Sequence, residues 1–62
     1  MTTFIQVTEL TTEKPMFVNV AHIVFVVDDE DGDTCIQMSA GGHIVCKEPV
    51  HLVMRMIPAE AQ

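Results

Sequence analysis

The 62-residue sequence predicts a mainly β fold with one C-terminal helix, built as a small curved antiparallel sheet or SH3-like barrel of four or five strands. Three observations predict it. Short runs alternate apolar and polar residues with a period of two. Turn-forming residues fall between those runs at 11–14, 28–33 and 40–42. Near the end, Val50, Val53, Met54 and Ile57 are spaced i, i+3, i+4 and i+7, which is one buried stripe of a helix.

The first strand is expected over residues 2–10, with Ile5 and Val7 on one face and Gln6 and Thr8 on the other. Residues 11–14 read as a turn. Pro15 has no N–H for a ladder and suits a strand start or an edge. The second strand covers 16–20, with Met16, Val18 and Val20 on one face, and Asn19 points to a bend or single helical turn at 19–22. Residues 23–28 form a third strand that is apolar on both faces. Such a run is expected to be central in a covered sheet or buried by another chain. Asp31-Gly32 marks the next hairpin turn. The fourth strand spans 34–39 with Ile36 and Met38 inward, and the fifth spans 43–47 with Ile44 and Cys46 inward. A three-residue loop at 40–42 would pair Ser39 with His43, Met38 with Ile44 and Ile36 with Cys46. The helix follows, with Pro49 at its first position, Glu48 at its positive end and Pro58 as its stop. Leu52 and Met56 lie off its buried stripe. The whole of 1–62 reads as one domain, with 59–62 a frayed tail.

Size and charge limit the functions available. A domain of about 60 residues buries roughly 60% of its unfolded surface and is marginally stable alone. Here 48% of the residues are hydrophobic and only two are cysteines, so self-association is the expected source of extra stability. Nine acidic residues against three basic ones give a net charge of −6. That balance disfavours nucleic acid, which is held through Lys and Arg, and anionic membrane surfaces for the same reason. The first residues have no basic-then-apolar leader pattern and no run is long enough to span a bilayer, so the expected setting is the cytoplasm with reduced thiols.

No spacing in the chain forms a catalytic or metal signature, and neither an enzyme activity nor a cofactor is expected. The acidic stretch 28–33 resembles a calcium loop, but with Gly32 at position 6, Val27 and Met38 occupy positions 1 and 12, where acids are needed. It reads as a solvated hairpin tip. His22, His43, His51, Cys35 and Cys46 lack zinc spacing. Cys46 reads as a small core residue and Cys35 as half exposed. Gly41-Gly42 lacks the strand-to-helix setting of a phosphate loop. The residues left over are contact candidates: Val24 and Val26 on the third strand, His51 and Arg55 on the polar helix face, and Leu52 and Met56 beside it.

The order of residues resembles the FlbD-like (SwrD-like) small bacterial proteins. The resemblance rests on Ile5-x-Val7-Thr8-x-Leu10, then Phe17-x-Asn19 with Ile23 following, an acidic loop, Thr34-x-Ile36-x-Met38 and a glycine turn. It closes on Ile44-x-Cys46-x-Glu48 and a helix carrying Val53 and Ile57. It covers roughly residues 4–57 and joins apolar positions to four others, Thr8, Asn19, Gly42 and Glu48. The chain departs from the pattern in having few lysines and in Met54-Arg55-Met56. The resemblance implies a five-strand unit with a terminal helix and an accessory role, sometimes flagellar, and it supplies no catalytic residues. The function expected is a non-enzymatic interaction or regulatory protein acting as a homo-oligomer. The alternative is a small-molecule-binding oligomer with pockets between protomers, of the ligand-sequestering kind a phage or mobile element would carry.

Overall fold

Two antiparallel units joined by a single helical turn make up the fold of this computed structural model, which describes residues 3–59. Strands β1 (Phe4–Thr8) and β2 (Pro15–Asn19) form the first unit, and a 3-10 turn at Val20–His22 follows. Strands β3 (Ile23–Asp28), β4 (Thr34–Met38) and β5 (His43–Cys46) form the second, in the order β3-β4-β5, and helix α1 (Val50–Met56) closes the fold. The sheets meet where the end of β1 leans on β5: Glu9 bridges Cys46, the Leu10 N–H donates to the Val45 carbonyl at 3.0 Å, and the Lys47 N–H donates to the Thr8 carbonyl at 3.0 Å. The strands do not close into a barrel, so β2 and β3 are left as edges. The tail expected at 59–62 and the strand start expected at Thr2 lie outside the described residues, apart from Ala59.

The alternation in β1 and β2 works as the sequence predicts. Ile5, Val7 and Val18 are buried, whereas Phe4, Gln6 and Phe17 are exposed. The turn between them is tightened by a bond from the Glu13 N–H to the Glu9 carbonyl at 2.9 Å, with Glu13 at φ 60°. The bend expected at 19–22 is the 3-10 turn, and Asn19 caps it by accepting the Ala21 N–H at 3.0 Å. In the β3–β4 loop, the Asp29 carboxylate accepts the Asp31 and Asp33 amides at 2.8 and 3.0 Å, and Gly32 supplies the left-handed residue at φ 86°.

Two expectations about the larger sheet are corrected. First, the pairing of Ser39 with His43, Met38 with Ile44 and Ile36 with Cys46 does not form. Ile36 faces Ile44, Thr34 faces Cys46 and Gln37 faces His43. Residues 39–42 connect the two strands, closed by bonds from the Met38 N–H to the Gly42 carbonyl (2.9 Å) and the Gly41 N–H to the Met38 carbonyl (3.0 Å). A slip of two residues keeps every side chain on its face, so Ile36 and Cys46 still point inward. Second, of the two settings expected for β3, the central one does not form. β3 is an edge strand, and the central, buried strand is β4.

Helix α1 lays Val53 and Ile57 into the core against Ile5, Val7, Val18 and Ile36, while Leu52 and Met56 stay exposed off the stripe. Pro49 is the extended residue before the first turn rather than its first helical position. Glu48 does not serve the helix start. Its carboxylate turns to β1.

Candidate interaction surface

The outward face of β3 is decided by one irregularity. The pairing with β4 shifts between Ile23, opposite Met38, and Phe25, opposite Gln37, so Val24 is an extra residue. Such a bulge breaks strict alternation. Ile23 and Val26 turn towards the core, and Val24, Phe25 and Val27 face out at 60%, 48% and 43% exposure. Val24 and Val26, placed on one face by a period of two, are therefore separated: Val24 is solvent-facing and Val26 packs on the core.

Hydrogen-bond parity then fixes what the open edge presents. The Asp29 N–H donates to the Asp33 carbonyl at 2.8 Å, which makes that pair a bonded one in register with β3–β4. Bonded pairs alternate along an antiparallel ladder. Phe25 and Val27 therefore bond β4, and the backbone groups of Val26 and Asp28 point to the open side. Beside this edge, between β3 and α1, lies a cleft of about 210 Å³ lined by Val20, Ile23, Val24, Phe25, Val26, Met54 and Ile57. A shallower hollow of about 420 Å³, which includes Leu10, Met16, His43 and Val45, sits where the two sheets meet.

The remaining contact candidates do not converge. His51, Leu52, Arg55 and Met56 are all exposed on α1. At 100° per residue, Leu52 and Met56 lie on the flank of the buried stripe opposite Met54, so they face away from the β3 cleft. Two exposed aromatics went unassigned by sequence reasoning. Phe4 and Phe17 are 56% and 65% exposed on the outer face of the β1–β2 sheet, on a diagonal, since Phe17 pairs with Gln6 and Phe4 with Asn19. The signal was present, because each occupies the polar phase of its own alternation.

The polar residues of the family-like pattern have structural work. Glu48 Oε1 accepts the Thr8 N–H at 2.8 Å and Oε2 accepts the Thr8 hydroxyl at 2.9 Å. The Glu48 carbonyl accepts the hydroxyl of Thr34, the one buried polar residue among those described. Partial burial opposes ionisation of Glu48, but the two bonds from Thr8 outweigh it and hold the carboxyl below its ordinary value. Asn19 caps its turn, and the Gly42 carbonyl accepts the Met38 N–H.

The other titratable groups are similarly engaged. Thr12 and Thr11, hydrogen-bonding the Glu9 carboxyl, lower it to about 2. Lys47 pairs with Glu13. Burial first, and the nearby Glu48 charge second, push the Cys46 thiol up to about 11, so it is a poor nucleophile at neutral pH. Cys35, opposite Val27 and Val45, is on the other face of the sheet, and both thiols are free. Among the described residues, no three His, Cys, Asp or Glu side chains are grouped to hold a metal ion, and no helix is long and apolar enough to cross a membrane.

Comparison with known proteins returns one family. Residues 4–61 match FlbD, described as Flagellar and Swarming motility proteins. No curated protein and no solved structure matches.

Proposed function

The chain belongs to the FlbD family, and from that premise we propose that it serves motility as a small non-enzymatic interaction or regulatory protein acting as a homo-oligomer. One observation carries the reading: the fold turns Val24, Phe25 and Val27 of an edge strand outward, where a lone chain leaves them wet. Burying them against another chain is worth about 25 cal/mol per Å² of apolar surface removed from water. The non-enzymatic part is supported by how the perturbed groups are spent, with Glu9 and Glu48 tied into structural hydrogen bonds and the Cys46 thiol held protonated. The net charge of −6 supports a protein partner over nucleic acid or an anionic membrane. A cytoplasmic setting belongs to the same proposal.

Two measurements test this. Light scattering across the micromolar range is expected to give a mass above that of one chain, and a constant single-chain mass would refute the oligomer. Deletion of the gene is expected to impair swimming or swarming; unchanged motility would refute the motility role. A second reading, a small-molecule binder, is favoured by the apolar cleft between β3 and α1. A thermal-shift screen against nucleotides and metabolites separates the two, since the interaction reading expects no stabilisation.

A further inference from the structure

We propose that two copies join edge to edge through antiparallel pairing of β3 with β3, with Val26 on the two-fold axis, making one continuous six-stranded sheet. This rests on the homo-oligomer reading and names its surface.

Four features of the edge support it. The backbone groups of Val26 and Asp28 point to the open side, so Val26 facing its own copy forms a bonded pair. That register sets Phe25 opposite the partner's Val27, and Val27 opposite the partner's Phe25, on the outer face. Aromatic and β-branched residues directly opposite one another are a favourable cross-strand pair, and the symmetry makes it twice. The row Val27–Cys35–Val45 of one copy then runs on into Phe25–Gln37–His43 of the next. The cleft between β3 and α1 lies along the same edge, so the partner strand covers it too.

Charge selects the direction of pairing. The hairpin tip carries Asp28, Asp29, Glu30, Asp31 and Asp33. A parallel arrangement would bring two such tips together. The antiparallel one offsets like acids along the strand by four residues at Asp28, roughly 13 Å, and by more further out, beyond the Debye length of about 8 Å at physiological salt. It also brings each tip towards the His22 end of the other copy rather than its acids. The alternatives among the described strands are poorer. The outer side of β5 is occupied by residues 8–10, and β2 opens on Pro15, which has no N–H to give.

The test uses the full chain and two classes of variant. Phe25→Arg changes an exposed side chain, and Val26→Pro removes an N–H that β4 does not use. Either is expected to raise the dimer dissociation constant roughly tenfold or more, with circular dichroism unchanged for Phe25→Arg even where Val26→Pro fails to fold. Separately, Phe25→Cys and Val27→Cys chains, each also Cys35→Ser, are mixed and oxidised. The geometry expects a disulfide between the unlike chains well above that of either alone, because like positions are offset by two residues. A wild-type dimer unaffected by Phe25→Arg and giving no mixed disulfide overturns the edge pairing and leaves the oligomer reading standing. A wild-type chain that stays single at every concentration overturns both.

Discussion

Strands β3 and β4 are neighbours with opposite fates. β3 reads Ile-Val-Phe-Val-Val-Asp and lies at the edge with three large apolar side chains in water. β4 reads Thr-Cys-Ile-Gln-Met and is central, with Thr34 and Ile36 at 0% exposure. Composition alone would reverse the two. Burial follows place in the sheet: β4 is flanked on both sides, so even its threonine must find a buried acceptor, while β3 spends apolar side chains where its own fold has no use for them. Excess apolarity at an edge is therefore a surface feature, and the difference can be tested strand by strand.

The largest effect is expected at Ile36. Ile36→Ala empties a fully buried site and should cost about 2–5 kcal/mol, enough to unfold much of a domain this small, read by urea denaturation. Equal stability of this variant and wild type would break the comparison. Thr34→Val keeps the shape but leaves the Glu48 carbonyl without its hydroxyl donor. About 1–3 kcal/mol should be lost in the same measurement, despite the gain of an apolar group.

Acid gives the next effect. Glu48 is held below its ordinary value when folded, so its contribution is full above that value, 4.5, and is lost as pH falls through the folded value. Thr8→Val removes one of the two bonds that hold it there, at a cost of about 1 kcal/mol near neutral pH. The stability of this variant should therefore fall less than that of wild type as pH drops below 4.5, as followed by thermal melts across pH. A parallel decline in both proteins would count against the bond. On β3, Val27→Thr should change the stability of the isolated chain by no more than about 0.5 kcal/mol. A loss as large as that at Ile36 would mean that the edge is not exposed.

The sequence made some of this legible and hid the rest for identifiable reasons. Alternation located Ile5, Val7, Val18, Ile36 and Cys46 in the core, because a period of two survives any even slip of register. It misjudged β3, because one extra residue at Val24 inverts the phase and nothing local in an all-apolar run announces it. The connection is 39–42 rather than the expected 40–42, since a glycine pair permits both lengths and only the bond from Met38 to Gly42 chooses. Proximity in sequence points Glu48 to the helix start, because the residues that follow it are helical. Its true partner, Thr8, is 40 positions away. Phe4 and Phe17 stand in the polar phase of their strands, which marks them as outward-facing, although their aromatic character by itself points to the core.

That distance of 40 positions has a consequence for how the molecule comes into being. During synthesis the first hairpin emerges long before the carboxylate that fastens it, and it must wait, unlatched, with its greasy side open. Contacts so far apart slow the search for the native arrangement. The first hairpin is therefore at its stickiest until residues 48–57 are in place, and that segment acts as the catch that turns a loose ribbon into a fastened sheet.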